Sequence, residues 1–201
     1  MFYEPDKRDK RLLPHDPFKA IVAPRPIGWV TSINLKGEVN LAPYSYFNGV
    51  GSNPNLVMFS SEGMKDTASF IAETKEFVCN LATLALRDEM NATSAPLPRG
   101  FNEMERAGLA PAPSRLVKPP RVAASPCALE CKLVKIVALE TFDGRPLEAR
   151  MVIGQVIGVH IDERFIVDGR LDTAAMKPIA RCGYDQYAIV ESLFSMTRPT
   201  A

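Results

Sequence analysis

The sequence predicts a mainly β protein, an antiparallel barrel, closed or split, carrying a few short helices. About seven segments have strand-like apolar patterning, and hairpin turns join several neighbours. No GxGxxG or P-loop opens a helix, as a doubly wound dinucleotide fold would require.

Taken in order, residues 1–19 are charged and proline-bearing and read as an arm that packs late or against a partner subunit. Ala20 to Ala23 reads as a short strand. Arg25, which precedes Pro26, is held extended because a residue before proline is pushed out of the helical region. Ile27 to Ile33 alternates, with Ile27, Trp29, Thr31 and Ile33 on one face and Gly28, Val30 and Ser32 on the other. Asn34 to Gly37 is turn chemistry. Val39 to Phe47 returns as a second strand, in which Pro43 must sit where no ladder donor is needed. After a Gly/Asn/Ser/Pro loop over 48–55, Leu56 to Phe59 is a compact apolar strand. Asp66 or Thr67 is placed to cap a helix running to about Glu73, with Phe70, Ile71 and Thr74 facing inward.

Phe77 to Leu81 is the next strand. Thr83 to Ala92 and Phe101 to Ala107 read as helices, the second ending at Gly108. Residues 93–125 lack the apolar mass for a core of their own, so this proline-rich stretch reads as an excursion over the barrel, and 1–201 as one domain. In ALECKLVKIVAL the apolar phase flips between Leu133 and Val134, which marks a bulge where a sheet curls. Asp143-Gly144 makes a hairpin turn. From Met151 to Ile161 the odd positions are almost all apolar, with Gly154 and Gly158 on the other face at points of close approach. His160 ends this strand. Asp172 to Lys177 is a short helix, and Gly183 to Tyr187 leads into a last strand, Ala188 to Glu191.

Composition narrows the function classes. Of 201 residues, 46% are hydrophobic and 23% charged, with a net charge of +1, so no nucleic-acid or anionic-membrane footprint stands out. No apolar run reaches the length of a bilayer span, and the N-terminus lacks the apolar core of a signal peptide; the expected address is the cytoplasm. Cys79, Cys127, Cys131 and Cys182 form no CxxC pair, and His15 and His160 are far apart, so free thiols are expected rather than a zinc site.

The informative stretch runs from Pro24 to Asp66. It mixes Thr31, Ser32, Asn34, Asn40, Ser45, Asn48, Ser60 and Ser61 with Trp29, Tyr44, Tyr46 and Phe47. Stacking surface beside convergent hydrogen-bonding groups suits a flat, polar-edged ligand, although a hairpin with its polar residues in water would have the same composition. Lys65 stands just before the expected helix start, where lysine, threonine and free backbone N–H groups can hold a phosphate; a simple capped surface helix is the alternative.

From RPIGWVTS through NLAPYSYFN, KDT, FVCNL, NEMERAGL, ALECKL and VIGQVIGVHI to IARCGYDQYAIVE, the chain resembles the flavin reductase-like family. That family has the FMN-binding split-barrel fold, an antiparallel Greek-key barrel, and includes flavoredoxins and the reductase components of two-component monooxygenases. The resemblance implies a homodimer with FMN or FAD near the subunit interface. It assigns Thr31 and Ser32 to the ribityl or phosphate end, and Pro43, Tyr44, Ser45, Tyr46 and Phe47, largely through backbone, to the ring. Asn48 falls at the polar edge of the ring, Lys65, Asp66 and Thr67 at the phosphate, and Arg181, Tyr184 and Tyr187 near the pocket. Many relatives have a leucine and paired glycines where this chain has Cys182 and only Gly183. Implied activities are an NAD(P)H-dependent flavin reductase serving a partner oxygenase, an electron carrier with tightly held FMN, or a binding protein without flavin chemistry. Since hydride chemistry belongs to the flavin, no catalytic side chain is assigned.

Overall fold

The computed structural model describes residues 1–200. Its centre is one antiparallel sheet of seven strands: β1 (Gly28–Ile33), β2 (Val39–Tyr44), β3 (Phe47–Ser52), β4 (Asn55–Glu62), β5 (Glu76–Leu81), β6 (Cys127–Glu140) and β7 (Pro146–Ile161). They lie in the order β2-β1-β5-β6-β7-β4-β3. The two edge strands, β2 and β3, are consecutive in the chain and joined only by Ser45 and Tyr46. Opposite edges linked by two residues must come together, so the sheet curls into a barrel with a seam at that link. Ser60 N–H donates to the Tyr46 carbonyl at 2.9 Å, carrying the β3–β4 pairing one position into the link. This is the split barrel that the strand count predicts.

The expected bulge is present. Ile153 pairs with Lys135 but Gly154 pairs with Leu133, leaving Val134 over, and a second irregularity leaves Ile157 over on β7. Each bulge sharpens the local twist and helps β6 and β7 wrap. Gly154 is a point of close approach: a Cβ there would lie 2.2 Å from Phe77 Cζ and 3.3 Å from the Lys132 carbonyl. Phe77 is fully buried and cannot swing into solvent. Gly154→Ala is therefore expected to cost about 1–3 kcal/mol through overpacking, read as a lower urea midpoint at unchanged slope; an unchanged midpoint would show that the ring can move aside.

Two apolar clusters flank the sheet. Val30, Val57, Phe59, Ile71, Phe77, Cys79, Cys131 and Val152 fill the barrel, with helix α1 (Asp66–Thr74) laid against it. On the opposite face of β1, Trp29 and Leu41 pack under Met90 of α2 (Arg87–Ala92), Met104 of α3 (Glu103–Arg106), Leu109 and Val122. The excursion thus builds the outer core. Its return is latched to the sheet by two carboxylates. Glu130, fully buried on β6, accepts the N–H groups of Arg115 at 2.7 Å, Leu116 at 2.6 Å and Val117 at 3.2 Å, and His160 Nε2 lies 2.5 Å from its Oε1. Glu76 accepts Lys118 N–H at 2.7 Å and the Lys132 ammonium.

Several local expectations change. Ala20 to Ala23 is no strand: Phe18–Ile21 is a helical turn, because Pro17 and Asp16 start it, Asp16 Oδ1 accepting Phe18 N–H at 2.9 Å. Val39 to Phe47 is not one strand but two, broken at Ser45. Alternation in β1 does not separate wet from dry, since the barrel covers one face and the excursion the other, leaving Gly28 to Ser32 buried throughout. The helix expected over 83–92 opens as a 3-10 turn, Leu84–Leu86, and α3 is shorter than 101–107, capped by Asn102, which accepts Met104 N–H at 3.1 Å. No helix is long and apolar enough to cross a membrane among the described residues.

Candidate functional site

The edge strand β2 forms one wall of an elongated cavity of about 390 Å³. Odd residues of β2 turn their backbone away from β1, as shown by Leu41 N–H, which donates to Glu103 Oε2 at 3.0 Å. Pro43 is the next odd position, so its missing N–H falls on the open edge, where no ladder needs it. Asn40, Ala42, Pro43 and Tyr44 line the cavity, covering roughly 13 Å of strand at about 3.3 Å per residue. Lys65, Asp66 and Thr67 close one end, and residues 93–97 with Arg99 form the opposite wall.

The helix start differs from expectation in a way that matters chemically. Neither Asp66 nor Thr67 caps α1. Lys65 takes the cap position, with φ −67° and ψ 175°, and no side chain accepts the first N–H groups. The two side chains expected to do so are committed elsewhere: Asp66 Oδ1 accepts a hydrogen bond from Arg99 Nε at 2.7 Å, and Thr67 Oγ1 accepts one from Asn40 Nδ2 at 2.7 Å. The first-turn donors at the positive end of the helix dipole are thus left open, beside Lys65 and Arg99 and with the carboxylates of Asp66 and Glu103 in the same lining. Burial pushes the Tyr44 phenol above its ordinary range, partly opposed by hydrogen bonds with Thr67 and Ser61. Burial likewise raises the carboxyl of Glu103. Tyr44 thus presents a neutral ring, packed 4.5 Å from Phe59.

Thr31 and Ser32 are both fully buried, and neither lines the cavity. Thr31 Oγ1 accepts Asn80 Nδ2 at 2.9 Å, and Asn80 Oδ1 in turn accepts Val122 N–H at 2.8 Å, so its polarity serves the outer core. Ser32 Oγ has no partner, and Ser32 stands opposite Asn40, which lines the cavity. Ser45, Tyr46 and Phe47 are half-buried at the seam, and Asn48 is exposed, its Oδ1 accepting Gly49 N–H at 2.8 Å.

Arg181 and Tyr184 lie beyond the seam end. Arg181 pairs in register with Arg25, whose guanidinium lies 5.8 Å from the Tyr46 ring centroid. Arg181 itself sits 4.5 Å from the Tyr187 ring centroid and donates to the Tyr187 hydroxyl at 2.5 Å and to the Tyr184 carbonyl. Tyr184 takes a left-handed φ of 57° and meets His15 edge-on at 5.8 Å. The sequence-predicted residues therefore form two groups, Lys65 to Thr67 at one end of β2 and Tyr46, Arg181 and Tyr184 near the other. Asn40 and Arg99 were missed. Asn40 reads as one more strand amide, and Arg99 is hidden in the proline-rich excursion, its only signal being its place after Pro96-Leu97-Pro98.

A split barrel with a cavity along its open edge strand has counterparts among known proteins. Residues 22–171 match the flavin reductase like domain, and the chain belongs to that family of flavin-using oxidoreductases. An uncharacterized protein of Halalkalibacterium halodurans is 35% identical over 184 residues, covering 89% of this chain and 88% of that one. Nitrilotriacetate monooxygenase component B from Bacillus cereus superposes with a TM-score of 0.87 at 30% identity, covering 98% of both chains. The 2-nitrobenzoate 2-nitroreductase of Pseudomonas fluorescens gives 0.80 at 31% identity, covering 90% of this chain and 88% of that one.

Proposed function

We propose that the protein is a cytoplasmic NAD(P)H-dependent flavin reductase that holds FMN along β2 and supplies reduced flavin or electrons to a partner oxygenase. The observation that carries this reading is the uncapped start of α1 at the end of an elongated cavity, with Lys65 and Arg99 beside it. Similarity to a monooxygenase component over nearly the whole chain supports the oxygenase partner.

The donor set fits the flavin. Lys65, Arg99 and the first-turn N–H groups would hold the phosphate; Ser32 Oγ, buried and without a partner, lies one strand in and outside the cavity lining. Pro43 and Tyr44 in the cavity lining, with Ser45, Tyr46 and Phe47 at the seam beyond it, would flank the ring, and Asn48 would lie toward its polar edge. The bound flavin supplies acceptance of hydride from a nicotinamide. The chain's part is to bind, orient and keep water from one face; it need not move a proton. His160 agrees with that division of labour, since its Nε2 is engaged with Glu130. Arg181, half-buried beside the seam, suits the phosphates of the nicotinamide dinucleotide. The half-buried apolar positions Met151, Ile153 and Ile157 on β7, with exposed Val159, would be covered in an isologous dimer.

Anaerobic stopped-flow reduction of the FMN-loaded protein tests the reading. NADH or NADPH should bleach the flavin. Arg181→Ala should raise KM for the dinucleotide about tenfold, and His160→Ala should leave the limiting rate within about tenfold, since a true general acid contributes roughly 10²–10⁴-fold. Flavin that stays oxidised with both nucleotides would turn the assignment to an electron carrier.

A further inference from the structure

We propose that Arg99 bolts the phosphate end of this cavity and makes the protein select a flavin mononucleotide over a flavin dinucleotide. The inference rests on the reading that the cavity holds a flavin by its phosphate. Arg99 crosses from the excursion to the helix start: its Nε donates to Asp66 Oδ1 at 2.7 Å, and its guanidinium carbon lies 5.9 Å from the Phe70 ring centroid. The wall behind it is anchored. The fully buried Trp29 donates its indole N–H to Thr93 Oγ1 at 2.9 Å, and that hydroxyl donates to the Met90 carbonyl at 2.8 Å. Residues 94–97 then run along the cavity to Arg99. The segment is tied to the outer core at one end and to α1 at the other.

Charge and space point the same way. A terminal phosphate monoester carries roughly −1.5 to −2 charges near pH 7, which suits two cations and open helix N–H groups. The same phosphate in a dinucleotide is half of a pyrophosphate, carries a single charge, and continues into a second phosphate and a nucleoside. That extension has to be housed or let out, and the cavity, about 390 Å³, is at the small end for ligand sites, with both Arg99 and Asp66 in its lining. A dinucleotide leaving past the helix start would meet the Arg99–Asp66 pair.

The test is titration of FMN, FAD and riboflavin into flavin-stripped protein, followed by flavin fluorescence, for wild type, Arg99→Ala and Asp66→Asn. Arg99 is largely exposed, at 61%, so its truncation should leave the fold intact, as thermal unfolding without flavin would check. Wild type should bind FMN at least about tenfold tighter than FAD, and Arg99→Ala should weaken FMN about tenfold while moving FAD less than about threefold. Asp66→Asn frees the guanidinium without removing its charge and also removes a negative charge beside the phosphate, so both ligands should gain affinity, FAD by more than FMN. Equal FMN and FAD binding in wild type, parallel losses in Arg99→Ala, or unchanged FAD binding in Asp66→Asn would each overturn the proposal. Riboflavin binding wild type as tightly as FMN is a different failure, because it removes the phosphate site itself.

Discussion

Glu130→Ala is expected to destabilise the protein by about 3–5 kcal/mol, the usual cost of breaking a buried charged pair. The side chain has no solvent exposure, and three backbone N–H groups of the excursion point at it together with His160. Truncation leaves those donors facing an apolar void, each costing about 1–3 kcal/mol if nothing replaces the acceptor. Against a typical total stability of about 5–15 kcal/mol, that is a large fraction. Glu130→Gln keeps an acceptor in place and should lose less. Urea unfolding measures both, and a loss under about 1 kcal/mol for the alanine variant would show that the excursion is not latched there. The pH dependence has a definite sign. Burial alone would raise the carboxyl, but the contact with His160 and the N–H groups of Arg115 and Leu116 hold it below its ordinary range. Its stabilisation is therefore complete above about pH 4.3 and is lost as pH falls through the lower folded-state value.

Lys65→Ala should weaken FMN by about 10- to 150-fold, as expected for a charge-assisted phosphate contact of about 1.5–3 kcal/mol. Riboflavin, which lacks the phosphate, should bind nearly as before. The contrast matters more than the size. Lys65 is exposed and sits at the cap position, so its loss removes charge without disturbing the core. Fluorescence titration that finds equal losses for both ligands would sink the assignment of this helix start to phosphate.

Much of the barrel is legible in the sequence because strand patterning and bulges are local. The phase flip at Val134, the Asp143-Gly144 turn and the close approach at Gly154 can all be read from neighbouring residues, and the structure has each of them. The seam is less visible. Residues 39–47 look like one strand, and only the pairing of β3 with β4 shows that the chain changes edges at Ser45. At the candidate site, Lys65, Asp66 and Thr67 are recognisable as a helix start, but their capping role is not, since Arg99 and Asn40 claim the side chains from elsewhere in the chain. The latch has the same cause. Glu130 is one acidic residue in an alternating strand until residues 115–117, about fourteen positions earlier, fold back onto it.

The seam also sets where this molecule can vary. Ser45 and Tyr46 join the barrel's two edges and, in the proposed reading, would also border the flavin ring, so a substitution there would change recognition and closure together. The far wall is under no such double duty: it hangs from the Thr93 hydroxyl and ends in the Arg99 pair, outside the seven-stranded sheet. Residues 94–99 can therefore be exchanged without touching the sheet, which residues 45 and 46 cannot.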